Sequence, residues 1–304
     1  MFSSYSATEV HYHVRSISLP SRLHPSLHKI EKELKRLKTW DASQVSTNSL
    51  QSESIKTGLT GLAELYNCVQ ELIGCPITQQ ALLRQHHQQE KHIEKPLDMS
   101  IGLLDVCGSA RELLLLMKEH VLDLQSALRR KGVDSSINSH ICAYICFRKK
   151  ARKDISTSLK TLKKMEGTFK SYPFLDVDHH HLLTVIKVLR ELSSITISLF
   201  KKLLLFMYAP ELKKNTRGWS LFSRMVSTES DREKRFINEM GDIDVALCTF
   251  LKRNGKSDAK DDVQIMKMRL GELDGSIRDL EARLECLFRC LLQQRVSLLN
   301  LLTH

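Results

Sequence analysis

The residues with types and spacings able to do chemistry fall into four groups: two cysteine pairs, a run of histidines, a serine motif and a dense block of lysines and arginines. Cys142/Cys146 and Cys286/Cys290 are each spaced i, i+4, so both sulfurs of a pair lie on one side of a helix. Neither pair has the C-x-x-C spacing of a structural zinc site. His179, His180 and His181 sit beside Asp176 and Asp178, but adjacent side chains splay around a helix and all three cannot converge on one ion. Gly255-Lys256-Ser257 has the ending of a phosphate-binding loop, yet Phe250 stands where that loop needs its first glycine. No dinucleotide fingerprint, nucleophile elbow or H-E-x-x-H pattern occurs. The expectation is a protein that is not an enzyme, with no catalytic, cofactor-binding or metal-binding residue.

Two groups point to binding instead. Arg15-Ser16-Ile17-Ser18-Leu19-Pro20 fits R-S-x-S-x-P, which resembles the ligand of 14-3-3 proteins once Ser18 is phosphorylated. Arg15 suits a basophilic kinase, the phosphate offers near-dianionic charge to an arginine cluster, and Pro20 turns the chain out of a groove. The competing reading is that this segment only docks the N-terminus onto the fold.

The second group is Arg148, Lys149, Lys150, Arg152, Lys153, Lys160, Lys163, Lys164 and Lys170, opposed only by Asp154 and Glu166. The resulting +7 is most of the chain's formal +11, and residues 22–38 supply another +4. Interleaved Ile141, Ile145, Ile155, Leu159, Leu162 and Phe169 make the segment amphipathic. Three readings stay open: a solvated face over ordinary core, a contact for anionic lipid headgroups, or a contact for an acidic or calmodulin-type protein. The cluster lacks aromatic interleaving and no nucleic-acid-binding motif occurs, so nucleic acid is not the expected partner.

These groups must be carried by helices. With 12 Gly and 6 Pro in 304 residues, the chain is poor in helix breakers, and no run alternates as a strand would. Residues 1–24 are polar and aperiodic and read as a disordered tail. Helical spacing predicts helices over 25–40 and 55–73, with a polar linker across 41–54. A short helix follows Pro76, and Lys95-Pro96 is expected to end it. Long helices are predicted over 97–131, 137–170 and from about 178 to 208, with Asp176 or Asp178 as cap. Residues 209–232 read as irregular, and a helix is expected over 233–253.

The last helix carries the clearest pattern. Val263, Met266, Leu270, Leu273, Ile277, Leu280, Leu284, Leu287, Leu291, Gln294, Leu298 and Leu301 keep heptad a/d spacing, and only Gln294 is polar. Phe288, Leu292, Val296, Leu299 and Leu302 form a second stripe, from which burial on several sides is expected at that end. The fold class is therefore all-α: an elongated antiparallel bundle with long coiled-coil-like helices, one domain over 25–304, its seam paired within the chain.

The first 25 residues lack a continuous apolar stretch of the secretory type, and Ile195 to Ala209 is short and broken by Lys201 and Lys202. The expected location is cytoplasmic, with or without membrane association. A plastid is the alternative, because residues 1–30 contain one acid, Glu9. The 8 cysteines do not form a spaced disulfide framework, and several fall on predicted apolar helix faces, as small apolar residues in a reducing compartment would.

Four segments together resemble the plant-specific BYPASS-like family: HVRSISLPSRLHPSLHKIEKELKRLKTW (13–40), GLTGLAELYNCVQELIGCPITQQAL (58–82), SIGLLDVCGSARELLLLMKEHVLDLQSALRR (100–130) and LECLFRCLLQQRVSLLNLLTH (284–304). That resemblance implies a land-plant source, a helical fold and no known catalytic activity. It also implies, by family analogy, links to root and shoot development and to secretory tethering proteins. Two function classes are expected on these grounds: an adaptor or scaffold with a phospho-switch in its tail, or a peripheral membrane protein whose basic helix rests on anionic lipid.

Overall fold

The computed structural model describes residues 25–46, 50–83, 86–131, 136–170, 180–209, 238–253 and 259–303. Among these residues there are eight helices and no strand: α1 (Pro25–Ser46), α2 (Ser52–Ile73), α3 (Pro76–Leu83), α4 (His86–Lys131), α5 (Ser136–Lys170), α6 (His180–Tyr208), α7 (Glu239–Arg253) and α8 (Ala259–Thr303). The two longest, α4 with 46 residues and α8 with 45, each extend nearly 70 Å at about 1.5 Å per residue.

The heptad seam of α8 is buried over the length described. Leu270, Leu273, Ile277, Leu280, Leu284 and Leu287 are fully enclosed, and Gln294 is also buried. The covering comes from within the chain, from α4 on one side and α2 on the other. Cross-helix contacts fix the directions. Arg295 donates to the Leu97 carbonyl at 2.6 Å while Lys118 meets Glu281 at 2.8 Å, so α4 and α8 are antiparallel. Ser52 pairs with Ser276, Lys56 with Asp279 and Arg283 with Thr60, so α2 runs parallel to α8. A further antiparallel pair, α4 with α5, is marked by His120 against Phe147 and Gly102 against Met165.

Glycine permits the closest crossing. A Cβ at Gly58 on α2 would lie 2.6 Å from Leu199 of α6 and 2.7 Å from the Trp40 ring of α1. Three helices thus meet over one bare backbone position. Nearby, the buried Tyr66 hydroxyl shares a 3.1 Å hydrogen bond with Thr196.

Three boundaries depart from the sequence expectation. Helix α1 continues to Ser46 through the supposed linker, held by Ser198 donating to Asp41 at 2.6 Å and Trp40 Nε1 donating to the Ser54 carbonyl at 3.2 Å. Helix α4 passes through Pro96 instead of starting after it. Proline removes one backbone donor, and the turn that follows is secured from outside by Arg295, which donates to Leu97 and to Ser100 Oγ at 2.8 Å. Helix α7 opens at Glu239, six residues later than expected, because Asn238 caps it: its Oδ1 accepts the Gly241 amide at 2.8 Å.

Burial on several sides of the α8 C-terminal stripe is not what the structure shows. Phe288 is half-buried under the Arg111 guanidinium, but Leu292, Val296 and Leu299 are exposed (42, 54 and 37 %). The helices packed on α8 are chiefly α4 and α2, with α7 and α3 adding smaller contacts, and none of them encloses these three side chains.

Candidate functional site

Helix α5 carries the charge block singled out above, and its basic residues divide between opposite faces. The inner face is apolar, with Ile141, Ile155 and Leu162 fully buried. Tyr144, Arg148 and Arg152 interrupt it at i, i+4 spacing. Arg148 is 1 % exposed, so it is withdrawn from any surface contact. Its Nε donates to both Asp244 carboxylate oxygens at 3.1 Å, and its Nη1 donates to the Met207 carbonyl at 2.7 Å. Arg152 donates to the carbonyls of Tyr208 and Ala209 at 3.1 and 3.0 Å and to Asp244 at 2.7 Å. The Tyr144 hydroxyl completes the set, donating to Asp244 Oδ1 at 3.0 Å.

The physical need for this cluster lies at the end of α6. The last carbonyls of a helix have no partner within it and carry partial negative charge, which cations stabilise. Ala209, with φ 34, turns the chain out of α6 and leaves those carbonyls facing α5. Burial disfavours a charged Arg148, but the Asp244 carboxylate beside it outweighs that and holds its pKa above the ordinary arginine value. Burial, reinforced by Asp244, also raises Tyr144 well above an ordinary phenol, so it stays a donor. Sequence reading missed Asp244 and grouped Arg148 and Arg152 with the lysines. The signal was available: Arg148 lies seven residues after Ile141 and seven before Ile155, on the apolar stripe.

The outer face is different. Lys149, Lys150, Lys153, Lys160, Lys163 and Lys164 are all exposed. At 100° per residue they occupy an arc of about 140°, and from Lys149 to Lys164 they extend about 22 Å along the axis. None of the six pairs with a carboxylate among the described residues. Asp154 alone adds an exposed acid at the margin of this face. The arrangement is a rigid row of ammonium groups on a helix clamped from behind.

Other candidates fare as follows. Cys142, Cys146, Cys248 and Cys286 are exposed. Cys75 and Cys107 are buried, and burial pushes the Cys107 thiol up to about 12. Among the described residues no three His, Cys, Asp or Glu side chains gather as metal ligands, and no helix is long and apolar enough to cross a membrane. Arg15, Ser16, Ser18 and Pro20, the tail over 1–24, Asp176, Asp178 and His179 lie outside the described residues.

The family described as Protein BPS1 matches residues 58–301, from the Gly58 crossing on α2 to the end of the α8 seam. The chain belongs to the BPS1 family. The match takes in the whole of α5, with its clamp partner Asp244, while the R-S-x-S-x-P segment precedes it. Neither the comparison with curated proteins nor that with solved structures returns a match.

Proposed function

We propose that this BPS1-family protein is a non-catalytic scaffold that docks on anionic membrane surfaces through the outer face of α5. The observation that carries this reading is the row of six exposed lysines without acidic partners among the described residues. Basic residues near an anionic leaflet contribute about 1 kcal/mol each, so the row supplies on the order of 6 kcal/mol before ordering costs. That corresponds to weak, reversible attachment, suited to a protein that visits a membrane. The apolar side of α5 is committed to the core and does not insert, so the contact is electrostatic and salt-sensitive.

A second reading rests on a separate observation. Leu292, Val296 and Leu299 on α8 are exposed, as are Ile101 and Leu115 on the antiparallel α4, both 46 % exposed. Such a strip suits an adaptor contacting other proteins, among them 14-3-3 or secretory tethering proteins, with Ser18 phosphorylation as a switch in the tail. A role in root or shoot development belongs to the same proposal and follows from family analogy.

The test of the membrane reading is sedimentation of purified full-length protein with phosphatidylcholine vesicles and with vesicles containing phosphatidylserine, over a salt series. Pelleting only with phosphatidylserine, and declining with salt, is expected. Failure to pellet at low salt contradicts the membrane reading and leaves the adaptor. Ser18→Ala tests the adaptor's switch: unchanged co-purifying partners would rule it out.

A further inference from the structure

We propose that Cys142 and Cys146 are S-acylation sites, taking a long-chain acyl group that completes the membrane anchor of α5. The inference rests on the docking reading above and adds a covalent component to it.

Both thiols are exposed, and they lie one helical turn apart on the face that continues into Lys149, Lys150 and Lys153. Going round the helix, Cys142 falls between Lys149 and Lys153, and Cys146 coincides in direction with Lys164. The lysine face lacks what a stable anchor needs, because the hydrophobic side of α5 (Ile141, Ile155, Leu162) is enclosed in the bundle. Durable attachment generally takes two signals, such as one acyl chain together with a polybasic patch. A chain on either sulfur leaves α5 in the direction of the lysines, so both signals address one surface. Exposed cysteines on basic helices that lie against membranes are also where reversible acylation occurs.

The donor is a long-chain acyl-coenzyme A. Lys149 and Lys150, three and four residues beyond Cys146, are its neighbours on the helix and are placed to attract the donor's phosphates. The cysteine sulfur attacks the thioester carbonyl carbon. A new S–C bond forms as the C–S bond to coenzyme A breaks, and the departing thiolate takes the proton that the cysteine loses. No electrons are transferred and no oxidant is required.

The experiment expresses the full chain in eukaryotic cells fed an alkynyl palmitate and reads the label before and after neutral hydroxylamine, which cleaves thioesters. Cys286, exposed on α8, provides the control. Wild type and Cys286→Ser are expected to carry hydroxylamine-sensitive label and to stay with membranes in high salt. Cys142→Ser/Cys146→Ser is expected to lose the label and become salt-extractable, with an unchanged thermal unfolding midpoint. Absence of label in wild type, or full label in the double variant, overturns the proposal. Vesicle binding by unacylated protein from bacteria reports on the lysine face alone, so failure there counts against docking and not against acylation.

Discussion

The inner and outer faces of α5 carry the same sign of charge and opposite roles. Arg148 and Arg152 direct their donors to Asp244 and to the last carbonyls of α6, while six lysines are exposed without carboxylate partners among the described residues. Position on the helix separates them, and side-chain chemistry agrees. A guanidinium has five donors in a planar fork and can satisfy a carboxylate and two carbonyls at once, whereas an ammonium is a strongly hydrated point charge. A net charge of +7 over one helix therefore says little about binding until it is divided by face.

The sharpest way to break that division is Arg148→Met. Removing one partner of a buried ion pair costs about 3–5 kcal/mol: the Met207 carbonyl loses its side-chain donor, and Asp244 keeps only Arg152 and Tyr144. A urea titration checks this, and a loss under 1 kcal/mol (about the worth of a surface pair) would place Arg148 with the lysines. Gly58→Leu probes the enclosed side elsewhere. The added side chain must displace Leu199 and Trp40, at an expected cost of about 1–3 kcal/mol or more, read from the same titration.

On the outer side stability is expected to be indifferent. Single lysine substitutions on α5 should each fall within about 0.5 kcal/mol of wild type. Leu292→Ser with Val296→Ser should likewise leave the unfolding midpoint in place, since both side chains are exposed. A large loss there would mean that the strip is covered in the folded protein.

The smallest effect expected is pH-dependent. The hydrogen bond from Lys56 holds Asp279 below its ordinary value of 3.8, so that contribution is present above this value and lost as pH falls through the lowered one. Lys56 is raised above 10.5, chiefly by its hydrogen bond to Glu53 and against the opposing effect of burial, so its share is present below 10.5 and lost as pH climbs through the raised value. The difference between wild type and Lys56→Met should be flat across neutral pH and shrink at both extremes. Denaturation midpoints measured across pH check this.

Much of the fold could be read from sequence because its signals are periodic. The α8 seam repeats so regularly that each described position, including the exceptional Gln294, is buried as the heptad requires. Pro96 misled because a backbone preference read from one residue leaves out the tertiary contacts of the turns around it, here Arg295 of α8 donating to the Leu97 carbonyl. The stripe beginning at Phe288 misled because periodicity marks an apolar face without saying whether a neighbour exists to cover it. The division of α5 was partly legible: Arg148 falls on the apolar stripe, but its partner Asp244 lies 96 residues away and only the folded chain brings them together. The exposure of Cys142 and Cys146 was equally open to a helical projection, since both fall within the arc of the lysines and at least about 100° round the helix from Ile141, Tyr144 and Arg148.

The most direct test of the division between the two faces is a vesicle-binding measurement on one variant. Lys149, Lys150, Lys153, Lys160, Lys163 and Lys164 are all changed to Gln, with Arg148 and Arg152 kept. The variant should fold like wild type by circular dichroism and no longer sediment with phosphatidylserine-containing vesicles at low salt. If it folds and still sediments as wild type does, the lysine face is not the docking surface.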